Sequence, residues 1–311
     1  MRTLPTAIPH PVAGVAHVEV MRGTGAAPDD VPSLLIEVPH GADRAIDYGL
    51  LERQLQGTLP AGLADFFFVN TDVGAWALGR AIAERVIVER PHTVALLVRC
   101  LVPRTFVDCN RDLDAGASGD LRQGAVTPGI PPYITHPADH ALLRQLHARY
   151  ISLTDDAYGV VMAAGGLAVV PHTYAPRSVG IARVDADIVR ELHRVYSPEL
   201  RDSWPLRAEI DLITRTPEGE RRCPAGAVEA LVEGFAAAGL GVHEGDTYTL
   251  HPATRAATLS ERHPGRLLCF EARRDLVVEA WTPFAEMQAD QEKVQRLAGP
   301  VASWLARALP A

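Results

Sequence analysis

Apolar and polar positions along the chain fall into two alternating kinds of segment. Short apolar, β-branched runs occur at Leu34–Val38, 93–98, 167–170, 208–214 and 266–270. Each has the length and bounding turn residues of a buried strand. Between them, 74–86, 138–164, 225–238 and 283–309 repeat apolar residues at helical spacing. The alternation predicts an α/β fold with helices covering both faces of a mostly parallel sheet. Thr71 or Asp72 is placed to cap a helix, and Pro283 suits the first turn of the last one. The stretch 112–136 is rich in Gly, Asp and Pro and has no periodicity. It reads as an irregular excursion near a site, of the kind that acts as a lid.

Three of the strands run straight into chemistry. Leu34–Val38 is followed by Pro39-His40-Gly41-Ala42-Asp43, a His-x-x-Asp pair. Catalytic zinc commonly takes two histidines and a carboxylate and keeps a position for water. On spacing alone such a pair is more often a hydrogen-bonded turn than a metal site. The run 167–170 is followed by Pro171-His172, repeating the Val-Pro-His pattern. Ligands of open α/β sheets bind beyond the carboxyl ends of the strands, so the two histidines meet in one crevice if their strands are neighbours. With His40 and Asp43 available, a metal role for His172 leads over a turn cap. Glu271 interrupts the apolar run Leu267-Leu268-Cys269-Phe270, where a carboxylate is costly to bury unless it is paired or used. It reads either as a proton carrier beside an activated water or as a salt bridge to Arg273 or Arg274. After the run near Thr93 come Asn110 and Arg111, which can clamp a substrate carboxylate. A surface pair of Arg111 with Asp112 or Asp114 is the competing reading.

Length and charge narrow the class. A chain of 311 residues with 47% hydrophobic content can bury one large core. A net charge of −8 with no long Lys/Arg run argues against nucleic acid as a partner. No membrane-length apolar run occurs; the longest, 160–170, is broken by Gly165 and Gly166. No export signal is visible, so a soluble, cytoplasmic protein is expected. Cys100, Cys109, Cys223 and Cys269 are widely spaced and read as free packing thiols.

In order along the chain, Val38-Pro39-His40-Gly41, Val107-Asp108-Cys109-Asn110-Arg111, His172-Thr173-Tyr174-Ala175-Pro176 and Phe270-Glu271-Ala272-Arg273-Arg274-Asp275-Leu276 resemble the N-formylglutamate amidohydrolase family, itself similar to the zinc carboxypeptidases. The resemblance implies a single hydrolase domain over 1–311, a three-layer sandwich of the phosphorylase/hydrolase-like, zinc carboxypeptidase-like kind with a mostly parallel mixed sheet. It implies Zn2+ held by His40, Asp43 and His172, and Glu271 as general base and acid. Asn110 and Arg111 would hold the substrate carboxylate, and Arg104 would polarise the scissile carbonyl or help that clamp. Asp72 matches an acidic position near the start of a family helix, with a supporting or substrate-contacting role. Two departures stand out. Carboxypeptidases present a glutamate where this chain has Asp43, and the family's His-Ser-Phe-Thr-Pro run lacks a hydroxyl here at Ala175. The latter bears on the choice of acyl group or amine.

The expected activity is zinc-dependent cleavage of an N-formyl or other N-acyl amino acid, such as N-formylglutamate, to formate and the free amino acid. Its partner is then a small carboxylate-bearing amide. A carboxypeptidase-like peptidase or a deacylase of another small substrate is the alternative within the same chemistry. A metal-containing binder of acidic metabolites and a metal-free scaffold are the alternatives outside it.

Overall fold

The computed structural model describes residues 7–114 and 119–310. The elements run β1 (Ala16–Arg22), β2 (Leu34–Val38), α1 (Ala45–Glu52), α2 (Leu63–Asn70), α3 (Ala75–Glu89), β3 (Val94–Cys100) and α4 (Pro137–Ala163). They continue as β4 (Leu167–Tyr174), α5 (Ile188–Val195), β5 (Ile210–Leu212), α6 (Ala227–Ala237), β6 (Val242–Glu244), α7 (Arg255–Arg262), β7 (Leu267–Arg273) and α8 (Gln291–Ala308). One seven-stranded sheet takes the order β1-β3-β2-β4-β7-β5-β6. Strands β3, β2, β4 and β7 run parallel, β1 pairs antiparallel to β3 and β5 antiparallel to β7, and β6 runs parallel to β5. The fold is therefore α/β with a mixed, mostly parallel sheet between helices, as the alternation predicts.

The central strands are buried and mostly apolar because both faces are covered. Alternate residues serve two cores. Leu34, Ile36, Val38, Val169 and Phe270 pack with α3, α6 and α8. Leu35, Ala168, Val170 and Cys269 pack on the opposite face with α4 and the shorter helices. Helix α3 lies so close to β2 that a Cβ on Gly79 would stand 2.7 Å from Ile36. Glu37 points into the second core and is satisfied there by the Tyr150 and Tyr158 hydroxyls of α4, which donate to it at 3.0 and 2.8 Å.

Two expected helix starts shift. The N-cap of α3 is Gly74, in a left-handed conformation at φ 85°, and neither Thr71 nor Asp72 caps it. The last helix begins at Gln291, well after Pro283, capped by Asp290, whose side chain accepts from the Glu292 and Lys293 amides. Of the excursion 112–136, residues 115–118 lie outside the described part, while Tyr133 and Ile134 are buried in the core. All four cysteines are free. No helix among the described residues is long and apolar enough to cross a membrane.

Candidate metal centre

Parallel pairing places β2 and β4 side by side, so the turn after β2 and the end of β4 open on the same edge of the sheet. His40 sits in that turn, and His172 lies within β4. Between them Asp72 leads into α3. Gly74, whose left-handed turn is open only to a residue without a Cβ, starts the helix, and a Cβ there would stand 2.8 Å from Val277. His172 Nδ1 lies 2.8 Å from Asp72 Oδ2, and His40 Nδ1 lies 3.2 Å from the same oxygen. The imidazole centroids are 5.0 Å apart. One ligand atom from each of His40, Asp72 and His172 lies within 4.8 Å of the others, and all three residues are buried.

This set fits a zinc-type ion: two neutral imidazole nitrogens and one carboxylate oxygen are the usual donors of an open catalytic site. Asp108 turns His40 the right way, since its Oδ1 is 2.7 Å from His40 Nε2. A proton on Nε2 facing Asp108 leaves Nδ1 with its lone pair toward Asp72, the tautomer that a metal ligand needs. Arg104 agrees with this assignment, its Nη1 lying 3.3 Å from His40 Nδ1. Both buried carboxyls are held well below the usual carboxylate range: against the cost of burial, Asp72 by the two histidines and Asp108 by Arg111, His40 and Arg104.

Glu271 pairs in register with His172 on the neighbouring strand, so both side chains stand on the same face. Its Oε2 is buried without a hydrogen-bond partner. Burial pushes the carboxyl up to about 7, with His172 pulling it down, Asp72 raising it and Arg104 and Arg207 pulling it down again. Neither neighbouring arginine is its salt-bridge partner among the described residues. Arg273 pairs with Asp275 at 2.8 Å, and Arg274 donates to the Val69 and Thr173 carbonyls at 3.0 and 3.1 Å.

Asp43, expected beside the two histidines, is not part of this cluster. Its carboxylate accepts from Arg99 Nη2 at 2.8 Å, and Arg99 Nε also donates to the Gly41 carbonyl at 2.7 Å. Arg99 on β3, next to the end of β2, holds Asp43 instead, and Asp72 is the carboxylate that lies with the two histidines.

The remaining expected site residues surround this cluster. Arg104 donates to Asp108 at 3.1 Å and faces Asp72 at 3.5 Å. Arg111 pairs with Asp108 at 3.7 Å rather than with Asp112 or Asp114, and it donates to the Asn110 and Thr127 carbonyls. Asn110 is buried, with Oδ1 accepting from the Ala256 amide at the start of α7. A cleft lined by Phe66, Asn70, Arg104, Thr127, Pro128, Pro131 and Val184 opens beside Arg104. Sequence reasoning gave no role to Asp108, Arg207, Tyr174 or Tyr248. Asp108 carried one signal, being an acid two residues before Asn110 in a run otherwise buried.

The fold is similar to a crystal structure of N-formylglutamate amidohydrolase from Ralstonia eutropha JMP134. The likeness covers 94% of this chain and 99% of that one, with a TM-score of 0.55 and 16% sequence identity. A gene product from Agrobacterium tumefaciens aligns over 94% of both chains at 18% identity and a TM-score of 0.47. The class the fold defines is thus the α/β architecture of the Ralstonia enzyme. No protein-family model and no curated protein matches the chain.

Proposed function

We propose that this chain is a zinc-dependent amidohydrolase that removes an N-formyl or other small N-acyl group from an amino acid bearing a carboxylate. The observation that carries this reading is the buried meeting of His40, Asp72 and His172 with the unpartnered Oε2 of Glu271 beside them. The Ralstonia structure, named for N-formylglutamate, shares the fold and makes that compound the first substrate to try.

His40 and His172 through Nδ1, and Asp72 through a carboxylate oxygen, would hold the ion. Zinc bound there supplies Lewis acidity toward the scissile carbonyl and lowers the pKa of water. Glu271 takes a proton from the attacking water and returns it to the leaving nitrogen, so its partner-free oxygen is the feature the chemistry needs. Arg104, half-buried and facing His40, adds positive charge where the carbonyl oxygen becomes an oxyanion. Asp108 holds His40 and Arg104 in place.

The test is a panel of N-formyl and N-acyl amino acids assayed for released amine, with zinc content measured on the same preparations. The account expects about one zinc per chain, turnover of at least one acidic N-acyl amino acid, and zinc-loaded but inactive Glu271→Gln. Unchanged turnover by Glu271→Gln would remove Glu271 from the mechanism, and a wild type without stoichiometric zinc would leave only a scaffold.

A further inference from the structure

Buried polar side-chain atoms in folded proteins nearly always have a partner, so a group of them without one marks a place built for something else. Four such atoms are Glu271 Oε2, Arg207 Nε, Tyr196 Oη and Arg274 Nε. They act on one another electrostatically. Arg207 and Arg274 both interact with Glu271 and with the Tyr196 phenol. Three of the four are donors. What they lack is an acceptor, and two guanidinium groups ask for an anionic one.

The arginines around the site divide by what already holds them. Arg104 and Arg111 are tied to Asp108, and Arg274 is spread over backbone carbonyls of Val69 and Thr173. Arg207 is the freest. Among the described residues its side chain makes one hydrogen bond, from Nη1 to the Ala175 carbonyl at 3.3 Å, and no ion pair. It is nevertheless held in place, its guanidinium carbon 5.1 Å from the Tyr174 ring centroid and 5.8 Å from that of Tyr248. The Tyr174 hydroxyl donates to the Ala208 carbonyl at 2.7 Å, which fixes that ring, and Asp211 accepts from the amides of residues 246–248, which fixes the backbone that carries Tyr248. A planar cation packed against two aromatic rings, with unpaired N–H groups and no ion pair among the described residues, has the chemistry to receive a carboxylate.

We propose that Arg207, packed against Tyr174 and Tyr248, binds a carboxylate of the substrate and so selects acidic acyl amino acids. This rests on the amidohydrolase reading, and it assigns one substrate carboxylate to Arg207 rather than to Arg111.

The test is calorimetric binding of L-glutamate, L-glutamine and L-isoglutamine to the zinc-loaded protein, which needs no turnover. The wild type is expected to bind glutamate at least about tenfold tighter than one of the two amides, since a charge-assisted pair is worth at least that factor. Arg207→Gln is expected to lose that preference while keeping its zinc and melting temperature. Arg207→Met, which keeps an apolar stem against the rings, is measured alongside and carries the test if the glutamine variant loses its fold. Wild-type preference retained in the variants overturns the proposal, as does a wild type that discriminates against neither amide. A wild type with Arg207-dependent preference that hydrolyses no N-acyl amino acid sinks the hydrolase reading and leaves the receptor standing. A wild type that hydrolyses N-formylglutamate while the variants keep full preference does the reverse.

Discussion

Two aspartates flank His40, and they have opposite fates. Asp43 is three residues away in sequence and lies in a corner with Arg99, while Asp72 is far along the chain and shares an oxygen between His40 and His172. The difference lies in which element claims each carboxylate. At Asp43, a cation on the adjacent strand is already in reach; burial lifts the carboxyl to about 6 even against Arg99, so it is ionised at neutral pH and the pair holds. At Asp72, the partners are two imidazoles brought side by side by parallel strands. Nearness in sequence makes a turn, whereas convergence of strand ends gathers the residues that could hold a metal ion.

That contrast can be broken most forcefully with paired substitutions. Asp72→Asn is expected to lose bound zinc and drop amide hydrolysis to background, whereas Asp43→Asn keeps both; metal analysis and a released-amine assay read the outcome. Next in size, Glu271→Gln should retain zinc and lose on the order of 10²–10⁴-fold in kcat, the range for a removed proton carrier. Asp108→Asn, which takes away the group that orients His40, should weaken zinc binding by about 10- to 100-fold in a competition titration.

The pH response is smaller and has a definite sign. In zinc-free protein the native Glu271 carboxyl at about 7 lies above its ordinary 4.5, so the folded state binds that proton more tightly. The stability this contributes is complete below about 4.5 and is lost as pH rises through about 7. Denaturation of wild type and Glu271→Gln across that window should show wild type losing ground to the variant; parallel curves would place the Glu271 pKa at its ordinary value. The smallest effect is on the Asp43 side. Asp43→Asn should cost about 1 kcal/mol in urea unfolding through the loss of the Arg99 hydrogen bond, with no change in zinc affinity.

The central strands were legible because they are covered on both faces: Leu34–Val38 is buried throughout and reads directly from its apolar run. The edges were not. Strand β1 is apolar only in part, since one side of it meets solvent, and β6 is three residues of mixed exposure. Helices α1, α2, α5 and α7, at eight residues each, are too short to establish a period. His40, His172 and Glu271 were legible because each follows or breaks an apolar strand. Asp72 was visible as an acidic residue before a helix, but its partners are set by strand order, which spacing does not encode. Arg207 had no local signal at all, because its significance is the absence of a partner in three dimensions.

The most direct measurement is a crystal structure of zinc-loaded protein with anomalous data at the zinc edge. The account predicts one peak at about 2.0–2.2 Å from the Nδ1 atoms of His40 and His172 and from an Asp72 carboxylate oxygen, with Asp43 still on Arg99. A peak bound by Asp43, or none between the two histidines, would contradict it.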